Sequence, residues 1–147
     1  LFAHGGAYIV EPEVTGLEMT CGVLDEPGGE TRALPPILIR PKSGSGEIFD
    51  YVAKYTPGAA DEICPAPVPD EVNRKVCEIS LAAHAILGLS GYSRSDFLVR
   101  EDGTPVLLAS NNLPGMTNNS LLPRSAAVVG MSYDQLIDRL ITLGLAR

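Results

Sequence analysis

Residues 91–111 read GYSRSDFLVREDGTPVLLASN, and this stretch decides the fold. Tyr92 to Val99 and Val106 to Ala109 are β-prone runs, and Asp102-Gly103, inside the connecting REDGTP, is the strongest short hairpin signal in the chain. With those residues as the turn, Asp96 pairs across from Ala109 and Arg94 from Asn111. Alternation along a strand then puts them on one sheet face and Phe97, Val99, Val106 and Leu108 on the other. One face is apolar, and the other holds Arg, Asp and Asn.

Working outward, the segment NNLPGMTNNSLLP after the hairpin is a Gly/Pro/Asn loop of the kind that presents backbone N–H groups, followed by a short apolar segment ending at Gly130. Ser132 and Gln135 form a capping box for a last helix with Leu136, Ile137, Leu140 and Ile141 on its buried side. Before the hairpin, Asp70 caps a helix in which Val72, Val76, Ile79, Ala83 and Ile86 or Leu87 recur at helical spacing, ending at Gly88. His84 adjoins that apolar stripe without a partner in sequence and reads as structural or surface, not catalytic. From Pro41 to Pro69 the composition turns to Gly, Pro and Ser around an aromatic cluster, Phe49, Tyr51 and Tyr55, beside Lys54. A plain linker rarely carries such aromatic load, so the reading is an ordered, ligand-covering loop. Glu18 to Leu24 and Ala33 to Arg40, joined by the turn signal DEPGGE, read as a first hairpin. This order of strands and helices is α+β: a mixed, mostly antiparallel sheet flanked by helices.

The 147 residues suffice for one domain with a real core, burying about two-thirds of the unfolded surface. Apolar residues at 45% and charged residues at 20% exclude a disordered or fibrous chain. A net charge of −7 with no basic run argues against nucleic acid as a partner. Cys21, Cys64 and Cys77 are widely spaced, with only His4 and His84 to help ligate a metal, so neither a zinc site nor a disulfide framework is expected. No apolar run approaches the roughly 18 residues of a membrane span, and no basic signal segment opens the chain; the expected location is the cytoplasm. The start at Leu1, without methionine and already close to a strand-like stretch, reads as a piece of a longer protein.

No P-loop, dinucleotide fingerprint, zincin or nucleophile-elbow string is present. What remains is the hairpin face. Asp96 and Asn111 offer hard oxygen ligands suited to Mg²⁺, and Arg94 suits an anionic group. The same residues also read as a solvated sheet face with a surface Arg–Asp pair.

GYSRSDFLVREDGTPVLL followed by NNLPGMTNNSLLPRSAAVVGMSYDQLI resembles the C-terminal signature of the D-alanine–D-alanine ligases of the ATP-grasp superfamily. The resemblance extends upstream through IFDYVAKY and CPAPVP, similar to the family's mobile loop (about residues 41–69), and IVEPEVTGLEMTCGVL, similar to its nucleotide-binding strands. It covers nearly all of the chain as a single ATP-grasp C-terminal domain. The family's N-terminal domain and the lysine-bearing strands that cover ATP fall outside these residues, so the isolated chain is not expected to catalyse ligation.

The resemblance implies roles position by position. Glu11 looks like the acidic residue beside the adenine, and Glu18 like the acceptor for the ribose hydroxyls. Lys54 resembles the loop lysine that reaches the γ-phosphate on loop closure. Tyr55 follows it, as in ligases that prefer D-alanine to D-lactate as acceptor, while Phe49 stands where many members have tyrosine. Arg94, aided by the backbone N–H of Gly115, looks like the group that stabilises the acyl phosphate and the tetrahedral intermediate. Asp96 and Asn111 look like ligands for Mg²⁺ (or Mn²⁺), and Ser120 and Leu121 like the pair holding the carboxylate of the second D-alanine.

One departure stands out. Family members read L-E-x-N where this chain reads Leu108, Ala109, Ser110, Asn111, so the glutamate that bridges two Mg²⁺ ions is replaced by Ala109. Much weaker Mg·ATP turnover is expected, lost mainly in the chemical step. The implied activity is ATP-dependent joining of two D-alanines through an acyl phosphate, for bacterial cell-wall precursors. Two alternatives stay open: a catalytically degenerate ATP-grasp binding module, and a related ligase using D-lactate as acceptor. ATP and D-alanine are the implied partners, with a homodimer of the full-length protein left open.

Overall fold

The computed structural model describes residues 8–41 and 60–146. His4, Phe49, Tyr51, Lys54 and Tyr55, and with them much of the expected ligand-covering loop, lie outside the described residues. Along the chain run β1 (Leu17–Asp25), β2 (Thr31–Ala33), β3 (Ile37–Pro41), β4 (Ala60–Ile63), α1 (Asp70–Ile86), β5 (Tyr92–Val99), β6 (Pro105–Asn111), α2 (Leu121–Val128) and α3 (Tyr133–Leu145). The α+β reading holds, and the described strand pairs are all antiparallel.

The sheet order is β4-β3-β1-β5-β6, with β2 also paired to β1. β1 and β5 pair from Leu17↔Val99 to Leu24↔Tyr92. The other edge of β1 is shared: β3 pairs with Glu18 to Thr20 and β2 with Val23 to Asp25. The break between β2 and β3 falls at Pro35 and Pro36, which have no N–H to give a ladder. Leu34 N–H still donates to Gly22 O at 2.8 Å, so the expected first hairpin forms with one interruption. β4, unread in the sequence, adds an edge strand in the second half of the expected loop, pairing from Leu38↔Ile63 to Pro41↔Ala60.

The second hairpin differs from expectation in an instructive way. Its loop is three residues, Glu101 to Gly103: Arg100 N–H donates to Thr104 O (3.0 Å) and Gly103 N–H to Arg100 O (2.9 Å), with Gly103 at φ +79°. That left-handed conformation favours glycine. The loop moves the adjacent pairing by one residue, to Val99↔Pro105, Leu98↔Val106 and Phe97↔Leu107. An irregularity between Phe97 and Asp96 then absorbs Leu108 as an extra residue and restores Asp96↔Ala109 and Arg94↔Asn111. The site register is therefore the expected one, but Pro105 and Leu107, not Val106 and Leu108, are the partners of the apolar face.

That apolar face packs on α1. Met19, Cys21, Leu38, Val72, Val76, Phe97 and Val99 form one buried cluster, each large side chain contributing roughly 1.5–3 kcal/mol. Asp70 is the first residue of α1 and not its cap; Pro69 holds the N-cap position, with no side-chain cap bond. The buried stripe also turns further than the apolar spacing suggested. Ser80 and His84 are buried, whereas Ile86 is 83% exposed and Leu87 is exposed. Ser80 is accommodated by donating to Val76 O (2.8 Å). His84 has the structural role expected of it, with Nδ1 2.8 Å from Ser93 Oγ and Nε2 3.4 Å from Asp25 Oδ1, the latter outside hydrogen-bond alignment.

α2, which the sequence showed only as a short apolar segment, and α3 make a second cluster from Leu122, Ala126, Met131 and Leu136 against Leu24 and Leu34. The capping box of α3 is present: Gln135 N–H donates to Ser132 Oγ, and Ser132 N–H to Gln135 Oε1. Ile141, expected to be buried, is exposed. Gly22 sets how closely α2 approaches: a Cβ there would stand 3.2 Å from Leu34 and 3.4 Å from Leu122.

The three cysteines are free thiols. The neighbouring Cys77 thiol, followed by burial, pushes Cys21 well up, while Cys21 in turn lowers Cys77. Burial raises Cys64.

Two outcomes follow. Phe97→Ala is expected to cost about 3–5 kcal/mol and Ile86→Ala less than about 0.5 kcal/mol in urea unfolding; equal costs would remove the α1 cluster as the main support of the sheet. In iodoacetamide labelling with pH raised stepwise through the alkaline range, Cys77 should react first, Cys64 after it and Cys21 only on unfolding, because the thiolate is the reactive form. Early labelling of Cys21 would contradict its placement.

Candidate active site

The cross-strand register carries the polar residues onto the face opposite α1. Glu18 stands across from Leu98, Thr20 from Asp96 and Gly22 from Arg94; on the other side of β5, Ala109 faces Asp96 and Asn111 faces Arg94. Strand alternation makes these one surface. A strip of half-buried apolar side chains, Ile39, Leu98 and Val106, crosses the same face in the row of Glu18.

At its centre is a fork. Arg94 Nε donates to Asp96 Oδ1 (2.8 Å) and Nη2 to Oδ2 (2.9 Å), with the two side chains 17% and 25% exposed. Thr20, absent from the sequence reading, is fully buried, and its hydroxyl donates to Asp96 Oδ1 at 2.8 Å. An ionised carboxylate offers about four lone-pair positions. Three are engaged here, so the fork leaves one, on Oδ2. Beneath the face, the Ser95 and Ser110 hydroxyls meet at 3.0 Å and pin β5 to β6 beside the extra residue.

Asn111 Oδ1 accepts the Leu113 N–H (2.9 Å), which starts the loop and leaves a second lone pair on that oxygen. The loop returns to the same end of the sheet. Ser120 Oγ accepts the Thr117 N–H (3.0 Å) and lies 2.9 Å from Thr117 Oγ1, and a Cβ on Gly115 would come within 3.1 Å of it. Tyr133 on α3 fixes the loop by donating to Met116 O (2.6 Å). Leu121 opens α2, and the next residue, Leu122, packs on Gly22 directly across from Arg94. The N-terminus of α2, with its unpaired N–H groups and positive end of the helix dipole, therefore borders the Arg94 end of the face.

Glu18, Arg94, Asp96, Ala109 and Asn111 are thus brought onto one face, with Gly115, Ser120 and Leu121 at its border. Glu11 is not brought to it; it sits exposed in the segment before β1. Lys54 and Tyr55 lie outside the described residues. Besides Thr20, the sequence reading missed Arg124, which pairs with the Glu62 carboxylate and donates from Nη2 to Glu62 O (2.7 Å), tying α2 to the edge strand β4. Thr20 had a detectable signal, lying two residues from Glu18 on the same strand face; Arg124 and Glu62 had none.

Among the described residues no group of three His, Cys, Asp or Glu side chains is placed to hold a metal ion. Asp96 and Asn111 fit one hard cation whose remaining positions are filled by phosphate oxygens and water, which is how Mg²⁺ is commonly held. They do not fit a second, because position 109, opposite Asp96, carries a methyl group.

Comparison with known proteins shows what the chain as a whole is similar to. The profile of the family described as D-ala D-ala ligase C-terminus matches residues 1–142. A D-alanine–D-alanine ligase of Oleidesulfovibrio alaskensis is 60% identical over 99% of this chain and 45% of its own length. One from Nitratidesulfovibrio vulgaris is 55% identical over 99% of this chain and 46% of its own. The chain thus spans about half the length of the curated relatives it matches. Among solved structures, the D-alanine–D-alanine ligase of Bacillus anthracis complexed with ATP superposes with a TM-score of 0.72 at 33% identity, covering 91% of this chain and 40% of that one. The VanG D-Ala:D-Ser ligase of Enterococcus faecalis gives 0.73 at 31% identity, covering 89% and 37%.

The fork has a measurable strength. A double-mutant cycle with Arg94→Ala, Asp96→Ala and both, read by urea unfolding, should give a coupling of about 1–2 kcal/mol, above the range of an exposed pair. Coupling near zero would show the fork to be a solvated surface contact.

Proposed function

The chain belongs to the D-ala D-ala ligase C-terminus family, and on that premise we propose that it forms the nucleotide and acceptor side of an ATP-dependent ligase making D-alanyl-D-alanine for peptidoglycan precursors. In that reaction a carboxylate oxygen of one D-alanine attacks the γ-phosphorus of ATP and ADP leaves. The amine of a second D-alanine then attacks the acyl phosphate, losing a proton as inorganic phosphate departs. The reading is carried by one observation: a carboxylate, an amide oxygen and an arginine share one sheet face that a helix N-terminus borders.

The chain's residues divide this work. The apolar strip of Ile39, Leu98 and Val106 beside Glu18 suits a flat base with its ribose hydroxyls on the carboxylate, and Glu11 lies on the approach to that strand. Asp96 and Asn111 hold a cation; Mg²⁺, when bound, neutralises phosphate charge during transfer. The Arg94 guanidinium, held by its fork with Asp96, would turn its remaining N–H groups to an acyl-phosphate or tetrahedral oxygen, with the Gly115 N–H beside it. Lys54 supplies charge at the γ-phosphate and Tyr55 borders the acceptor. Ser120 exchanges its Thr117 contact for the acceptor carboxylate at the start of α2, where an anion is favoured.

No helix among the described residues is long and apolar enough to cross a membrane. The reaction, which consumes ATP, is assigned to the cytoplasm.

Ala109 favours a second reading, a binding module that has lost catalysis. A hybrid in which this chain replaces the matched region of the Oleidesulfovibrio alaskensis ligase separates the two. The expected result is D-alanyl-D-alanine formation with kcat about 100-fold below that of the parent ligase, as for loss of one electrostatic stabiliser, recovered by Ala109→Glu and abolished by Arg94→Ala. A hybrid that binds ATP but stays inactive with Ala109→Glu would overturn the ligase reading in favour of the module; D-lactate incorporation in preference to D-alanine would overturn the acceptor.

A further inference from the structure

Thr20 is fully buried at the middle of β1, yet its side chain is polar and spends its one proton on the polar face. Two acceptors are within reach, Asp96 Oδ1 at 2.8 Å and Ser95 O at 3.2 Å. A hydroxyl has a single proton to give, and the shorter contact goes to an ionised oxygen, where a hydrogen bond is about twice as strong. Buried as it is, the hydroxyl cannot be replaced by bulk water if it is removed. Its acceptor is the only carboxylate of the Arg94–Asp96–Asn111 group, and Thr20 stands directly across from it in the ladder.

The consequence lies in how Asp96 is oriented. The arginine fork alone grips both carboxylate oxygens and does not distinguish between them. Thr20 adds a second bond to Oδ1 only. We propose that Thr20 is a positioning residue of the cation site: it commits Oδ1 to the protein and leaves the outward lone pair of Oδ2 as the one ligand the Asp96 carboxylate presents. The proposal rests on the reading of Asp96 and Asn111 as cation ligands. It also joins β1, which carries Glu18 two residues away on the same face, to the hairpin that carries the cation ligands, so that both halves of a nucleotide's phosphate and ribose contacts share one rigid reference.

The test uses the 147-residue chain and Mn²⁺ as the probe, read by paramagnetic broadening of the Asp96 and Asn111 amide signals, with Mg²⁺ as competitor and Asp96→Asn as the control. For Thr20→Val, which keeps the shape and loses the hydroxyl, the Mn²⁺ concentration needed for half-broadening should rise about tenfold, the range expected for one hydrogen bond to a charged group. Thr20→Ser, which keeps the hydroxyl, should stay within about threefold of the natural chain. A structural role alone would lower the unfolding midpoint of Thr20→Val without moving Mn²⁺ affinity, and that result overturns the proposal while leaving the cation reading in place. Absence of any Asp96-dependent broadening in the natural chain overturns the cation reading, and the proposal with it. Should valine unfold the sheet, Thr20→Ala removes the same hydroxyl without adding a methyl and carries the same comparison against Thr20→Ser.

Discussion

The pairing of β1 with β5, unbroken from Leu17↔Val99 to Leu24↔Tyr92, is the constraint on which the molecule depends. Both strands are central, each with a paired strand on its far side. Their alternation separates two jobs. Met19, Cys21, Phe97 and Val99 face α1 and supply burial, while Glu18, Thr20, Arg94 and Asp96 face the other way and make up the polar surface. A slip of one residue would exchange the two sets, burying the charges and exposing the core, so the apolar face enforces the register of the polar one. Fold stability and site geometry are thus the same interaction viewed from opposite sides of the sheet.

Electrostatics adds a second constraint. The Arg94 and Asp96 charges satisfy each other, which spares the half-buried pair the cost of standing uncompensated. Removing either partner would strand the other in a partly dry site. Thr20 adds a hold on Asp96 that does not involve Arg94.

The polar face was legible in the sequence because Asp102-Gly103 anchors the hairpin and alternation does the rest. The agreement was partly a cancellation: the real loop is one residue longer than the dipeptide turn, and Leu108 returns the register as an extra residue before Asp96↔Ala109. Composition carries no mark of such an insertion, so the apolar partners near the turn were misassigned while the site pairs were right. Helix α1 was found by its periodicity, but its exact face was not. Ser80 and His84 are buried because local partners, Val76 O and Ser93 Oγ, accommodate them, and that is a tertiary fact. β4 was hidden for a related reason. ADEI has weak strand character of its own, and it becomes a strand through pairing with β3 and through Arg124, far away in sequence, gripping Glu62. The proposed residue roles rest on the long resemblance, because spacing alone favours a plain surface ion pair.

Ala109 brings these constraints together. It sits directly opposite Asp96, and like charges at facing positions of an antiparallel pair repel. A glutamate there would face a carboxylate whose neighbours already fill all but one of its lone-pair positions, so without a bound cation it would add repulsion. Alanine spares the face that repulsion. The polar face is internally satisfied: Arg94 is neutralised by Asp96, Asp96 is steadied by Thr20, and Asn111 Oδ1 accepts from Leu113 N–H. A methyl group opposite Asp96 thus leaves the fork as a neutral pair with no second carboxylate in the facing position.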